Sequence, residues 1–234
     1  MMVQAAELGQ IRNRWKEQYP VKLAKYHLYK RFTGNEDWLT RFAFERALRS
    51  IRPGDITIDC GANIGAVTHE FAIRGATVHA FEPDPWAFSQ LANRFRQSAN
   101  VHCHAAAVGA NESDLELYRR PDFDADPAER STGSSLYRAK VNVDPNGGIR
   151  VQQADLNSFI RGLKHRVRVL KVDIEGAEVP LLESMIEEKT IDLCDVIFVE
   201  THETRIAELV ERTALLRMRL NRRRYRSRVW LGWV

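Results

Sequence analysis

The stretch Ile56-Thr57-Ile58-Asp59-Cys60-Gly61-Ala62-Asn63-Ile64-Gly65 decides how the rest of the chain is read. Ile56 to Cys60 is a short β-branched run that suits a strand. Gly61 and Gly65 permit a tight turn and close approach of backbone to a ligand, and a helix predicted over Ile64 to Arg74 offers its first amides to it. A dinucleotide fingerprint would read Gly-x-Gly-x-x-Gly and seat a pyrophosphate on that helix. Here the third glycine is missing and an acid, Asp59, precedes the first. A carboxylate at that place repels a diphosphate but suits a ligand bearing an ammonium and a sulfonium. S-adenosyl-L-methionine is such a ligand, and its own carboxylate can use the loop amides running from Gly61 through Ala62 and Asn63 to Gly65.

Outward from this loop the pattern repeats. Strands are expected at Thr77–Phe81, Val101–Val108, Val167–Val172 and Asp195–Glu200, with helices over 85–98, 177–188 and 203–220. Two N-terminal helices are expected over 4–17 and 36–50 and form a helical cap, so residues 1–50 are set apart from a main domain at 51–234. The region from Glu112 to Gln153 breaks the rhythm, with a strand-like run at Asp114–Tyr118 and a turn-rich Asp144-Pro-Asn-Gly-Gly148. Apolar strands alternating with helices imply an α/β, Rossmann-like fold: a mostly parallel central sheet with helices on both faces. In such sheets ligands sit beyond the carboxyl ends of the strands. The polar residues that end strands are therefore the site candidates: Asp59, Glu82, Asp173 with Glu175, and Glu200 with His202.

Glu82 strengthens the cofactor reading. It ends the second strand, 23 positions after Asp59, where an acid can accept hydrogen bonds from both hydroxyls of an adenosine ribose. Pro83 follows it, and Asp84 before Pro85 is a good N-cap for the next helix.

The totals bound the alternatives. A chain of 234 residues, 44% hydrophobic and 28% charged, can bury one sizeable core. No apolar run approaches the roughly 20 residues of a membrane span, and the first 31 residues do not read as a secretory leader. Cys60, Cys103 and Cys194 have no metal-ligand spacing, and three scattered thiols fit a reducing cytoplasm better than a disulfide framework. The net charge of +4 comes largely from the ends, where seven arginines lie between Arg217 and Arg228 with no acid among them. That cluster leaves an RNA-binding or RNA-modifying protein as the alternative, although the aromatic-flanked basic signature of RNA modules is absent.

The segments Asp59-Cys-Gly-Ala-Asn-Ile-Gly65, Phe81-Glu-Pro83, Lys171-Val-Asp-Ile-Glu-Gly-Ala-Glu178 and Val199-Glu200, with Ser131-Thr-Gly-Ser-Ser-Leu136, resemble the FkbM family of methyltransferases. The resemblance spans roughly residues 53 to 202, and Asp173 to Glu178 is its most specific part. It implies a class I methyltransferase fold, and O-methylation of a hydroxyl on a sugar, glycan or secondary metabolite. Methyl transfer to a hydroxyl is an in-line displacement that needs a proton acceptor near the attacking oxygen. Asp173, Glu175, Glu200 and His202 are the candidates for that role, and Asp173, at the end of its strand, is also a candidate for binding the cofactor. These four have ligand types that suit a divalent metal, but sequence spacing does not fix a geometry and no metal is assigned. Glu178 reads as structural or as a rim residue. Seven-stranded methyltransferase sheets end with a hairpin, yet after Glu200 only Val229–Trp233 reads as a strand. Its pairing partner could come from a second subunit, which leaves a homo-oligomer open.

Overall fold

The computed structural model describes residues 37–138, 140, 143–203, 205, 206, 208–221, 225 and 227–232. The helix expected over 4–17 lies outside them. The chain divides into two compact units, Met1–Leu39 and Thr40–Val234; the second carries the fold.

Helix α1 (Asp37–Ser50) is followed by β1 (Ile56–Cys60), α2 (Ala66–Ala72), β2 (Thr77–Phe81), α3 (Pro85–Phe95) and β3 (Val101–His104). Two short strands come next, β4 (Ala107–Gly109) and β5 (Ser113–Tyr118), then a one-turn helix α4 (Pro127–Arg130) and β6 (Gly148–Asp155). The chain continues through α5 (Leu156–Gly162), β7 (Val167–Val172), α6 (Glu178–Glu187), β8 (Cys194–Val199), α7 (Leu209–Leu220) and β9 (Val229–Leu231).

Six strands form the central sheet in the order β3-β2-β1-β7-β8-β9, and every neighbouring pair is parallel. Strands β1 and β7 at its centre are buried along nearly their whole length, as strands covered on both faces must be. On one face Ile58, Leu170, Val172 and Ile197 pack with Leu156 and Ile160 of α5, Leu181 and Met185 of α6, and Leu216 of α7. On the other, Val78, Val169 and Phe198 meet Ala47 and Leu48 of α1 and Phe71 of α2. Phe44 of α1 sets its ring edge-on to Phe198, centroids 5.0 Å apart. Helix α3 begins as its sequence dictates, with Pro85 at its first position and the Asp84 carboxylate accepting from the amides of Trp86 and Ala87.

Three expectations are corrected. The strand read as Val101–Val108 is two strands: after His104 the chain leaves the central sheet, and Ala107–Gly109 joins a second sheet of order β4-β6-β5. That sheet accounts for the broken rhythm, because β5 and β6 pair antiparallel while β4 and β6 pair parallel. The helix expected over 203–220 starts only at Leu209. Strand β9 needs no second subunit for a partner, since it pairs with β8 from Ile197↔Val229 to Val199↔Leu231. No antiparallel hairpin closes the central sheet among the described residues.

Strand order reverses at the centre, where the chain runs outward from β1 to β3 and later returns to lay β7 on the other side of β1. A crevice opens at such a point, beyond the carboxyl ends of the two strands.

Candidate active site

A cleft of about 380 Å³ occupies that crevice, which is the size range of sites for small organic ligands. Gly61, Ala62 and Asn63 line it from the β1 loop, Glu82 and Pro83 from β2, and Lys171, Asp173 and Glu175 from β7. Ala106 to Val108 line it where the chain passes from β3 into β4, and Ser131, Ser134 and Leu136 close it from the connection after β5.

Glu82 is 6% exposed. Its Oε2 accepts from the amide of Asn63 at 2.8 Å and its Oε1 from the amide of Asp84 at 2.8 Å. Burial pushes its pKa up to about 7, with those two amides pulling the other way. Each oxygen accepts one amide and retains a lone pair for a ligand hydroxyl. Asn63 takes a left-handed backbone, φ 49°, and its side chain meets the Ser131 hydroxyl at 3.2 Å. The polar connection is thereby tied to the cofactor loop.

Two residues of the loop do not line the cleft. Asp59 is fully buried and does not line the cleft; it takes a 2.7 Å hydrogen bond from Thr68 and pairs with Lys171 at 3.3 Å. Gly65 is also outside the lining, and a Cβ there would stand 2.5 Å from the Phe95 ring. Gly61 lines the cleft but its smallness serves β7: a Cβ would fall 1.8 Å from the Asp173 carbonyl oxygen.

Lys171 is the residue whose role the sequence did not disclose. It is the register partner of Asp59 across β1 and β7, 2% exposed. Its Nζ donates to the Gly61 carbonyl at 2.7 Å and the Cys60 carbonyl at 3.2 Å, and lies 3.4 Å from Asp173 Oδ2. Burial works against its charge, but the carboxylates of Asp173 and Asp59 outweigh that and hold its pKa above the usual lysine range. A cation in the buried run Val169–Val172 must have buried anionic partners, and that was the available signal.

The acids that follow β7 and β8 converge on His202. Glu175 sits in a left-handed turn, φ 57°, with its carboxylate paired to the buried Lys140 and 3.0 Å from His202 Nε2. Its burial is outweighed by His202 and Lys140, so its pKa falls below the ordinary value. Burial raises the pKa of Asp173 despite Lys171 beside it. Burial and the nearby Asp173 push Glu200 up to about 7. His202, expected as a proton acceptor, lies behind the cleft at 2% exposure, its Nδ1 2.9 Å from Glu178 Oε1. Burial alone would lower its pKa, but Glu175 and Glu178 raise it to about 10. Glu178, read from the sequence as structural or as a rim residue, is wholly buried and also accepts from the amides of Ile174 and Gly176.

The arginine cluster is partly spent on the fold. Arg217 binds Thr201 and Glu203, and Arg228 binds carbonyls of Ile191 and Asp192. Arg222, Arg223, Arg224 and Arg226 lie outside the described residues. Among the described residues no helix is long and apolar enough to cross a membrane.

A parallel α/β sheet with its glycine loop and strand-end acids around one cleft defines a class I methyltransferase fold. The methyltransferase FkbM domain model matches residues 59–227, and the chain belongs to that family. It is similar to "Methyltransferase 1" of Beauveria bassiana (strain ARSEF 2860), 30% identical over 164 residues that cover 61% of this chain and 63% of that protein. It is also similar to "31-O-demethyl-FK506 methyltransferase FkbM" of Streptomyces tacrolimicus, 33% identical over 115 residues, 45% of this chain and 42% of that one. The chain thus spans less than two thirds of each of these relatives.

Proposed function

We propose that the protein transfers a methyl group from S-adenosyl-L-methionine to a hydroxyl oxygen of a small molecule or glycan. The observation that carries this reading is the single cleft that joins Glu82 and the Gly61–Asn63 loop to Asp173 and Glu175. Glu82 holds the ribose hydroxyls, the loop amides and Pro83 bracket the nucleoside, and the acidic wall of Asp173 and Glu175 complements the positive sulfonium and ammonium. The bound cofactor supplies an electrophilic methyl carbon. The acceptor enters on the side of Ser131, Ser134 and Leu136, and Asp173 or Glu200 receives its proton. Oxygen is favoured as the acceptor because one relative's name places its methyl at the 31-O position of FK506. The three unpaired thiols suit a reducing compartment such as the cytoplasm.

Calorimetric titration with adenosylmethionine tests the reading. The wild type should bind, Glu82→Ala should not, and Asp173→Asn should keep cofactor affinity at least in part while losing turnover on an accepted hydroxyl substrate. Absence of binding by the wild type, or unchanged binding by Glu82→Ala, would reject the cofactor assignment.

A further inference from the structure

The surroundings of His202 hold more than a structural histidine needs. Glu178 fixes Nδ1 and is itself fixed by two backbone amides, so the ring orientation is set from behind. Nε2 then faces three further acids: it lies 3.0 Å from Glu175 Oε2, 3.7 Å from Glu200 Oε1 and 3.9 Å from Asp173 Oδ1. It is sealed from solvent and makes no hydrogen bond: the Glu175 contact is misaligned, and the Glu200 and Asp173 oxygens stand too far off. A buried ring nitrogen aimed at three carboxylates and hydrogen-bonded to none calls for an explanation. Atoms that share one ion at about 2.0–2.2 Å stand roughly 3 to 4.3 Å apart. All three distances from Nε2 fall in that interval. Asp173, Glu178 and His202 also bring one ligand-type atom each within 4.8 Å of the others.

We propose that His202 Nε2 and the carboxylates of Asp173 and Glu200 bind one divalent cation at the back of the cleft. Glu178 is the orienting partner of the histidine, since its oxygens are already engaged by Nδ1 and the two amides. Glu175, neutralised by Lys140, closes the rim. Four acids, Asp173, Glu175, Glu178 and Glu200, face three cations, Lys140, Lys171 and Arg205; Lys171 is shared with Asp59, and Lys140 and Arg205 both fall on Glu175. The field that would otherwise hold a proton on His202 is thus strong enough to favour a cation in its place. One imidazole with carboxylates suits a first-row ion such as Mn²⁺. The use of the site, to hold an acceptor hydroxyl beside the methyl donor and ease its deprotonation, rests on the methyl-transfer reading.

The test is Mn²⁺ titrated into the metal-free full chain, with free Mn²⁺ followed by electron paramagnetic resonance. The wild type should show saturable binding, weakened by roughly tenfold or more in Asp173→Asn and His202→Gln. Glu200→Gln, at a more exposed position, guards against loss of fold in the other two and should weaken binding in the same direction. Melting curves establish which variants are folded. No saturable binding by the wild type up to about 1 mM, a weak limit for a protein cation site, overturns the proposal. So does wild-type affinity in every folded variant. Adenosylmethionine titrated into the same metal-free protein separates the two readings: cofactor binding without Mn²⁺ binding rejects the ion and leaves the methyltransferase reading standing.

Discussion

Lys171 Nζ donates to the carbonyl oxygen of Gly61 at 2.7 Å, so the glycine loop after β1 is held from below by a side chain of β7. The same ammonium neutralises Asp59, which is fully buried. Lys171→Met keeps the bulk but leaves that carboxylate uncompensated. Stability should fall by about 3–5 kcal/mol, measured by urea unfolding. Adding Asp59→Asn to Lys171→Met should restore part of the loss; a double variant no better than the single one would show that the pairing is not what matters.

Gly61 has φ +74°, and any Cβ there would collide with the Asp173 carbonyl at 1.8 Å. Gly61→Ala must therefore push β1 and β7 apart at the cleft. A destabilisation above about 4 kcal/mol is expected, with adenosylmethionine binding lost in any protein that remains folded. A well-folded variant that binds normally would contradict the close approach.

If Glu82 holds the ribose as proposed, it links cofactor affinity to pH. Its pKa is raised to about 7 by burial, and only the carboxylate accepts from both ribose hydroxyls. Adenosylmethionine should therefore bind more tightly as pH rises from 6 to 8, by roughly tenfold. Glu82→Gln should bind more weakly and lose this part of the dependence, which calorimetry at three pH values would reveal.

A second titration concerns stability alone. His79 stacks with His102 and His104, ring centroids 5.0 and 5.4 Å apart. Burial first, and the neighbouring imidazoles second, lower the His79 pKa to about 4, and His104 is lowered as well. An unfolded chain takes up these protons at the ordinary histidine pKa while the folded one resists. Their contribution is present above pH 6.5 and is lost as pH falls toward 4. Denaturation midpoints should decline across that window, less steeply in His79→Phe.

The segment after β5 is clasped to the site. Arg119 grips Asp84 with contacts of 2.7 and 3.0 Å and lies 4.1 Å over the Phe123 ring. Arg119→Met should speed limited proteolysis between 120 and 135 by roughly tenfold, with little change in the far-UV spectrum. Equal proteolysis rates would show the clasp to be idle.

Much of this arrangement was legible in the chain because parallel strands bury both faces and release polarity only at their ends. Asp59, Glu82, Asp173, Glu175, Glu200 and His202 all stood out for that reason, and five of them do gather around the cleft or directly behind it. Asp59 showed the limit of that logic: the sequence places it at a strand end but cannot tell a ligand-facing carboxylate from one turned into the core toward Thr68. The partnership of Glu178 with His202 and of Lys140 with Glu175 joins residues 24 and 35 positions apart. No local periodicity encodes such pairs. The second sheet was hidden because β4 has three residues, too short for an alternation to register.

The central placement of β7 has a consequence for biosynthesis. The bond from Lys171 to Gly61 spans 110 positions of sequence. As the protein leaves the ribosome, β1, β2 and β3 emerge together, but β1 has one edge bare until β7 arrives. Contacts so distant in sequence form late and slowly. The nascent N-terminal half therefore carries an unpaired strand and an unsupported loop, and it cannot engage the cofactor early. Ligand added to a stalled chain ending before residue 167 should leave its protease sensitivity unchanged, whereas a chain extended through the last strand should gain protection.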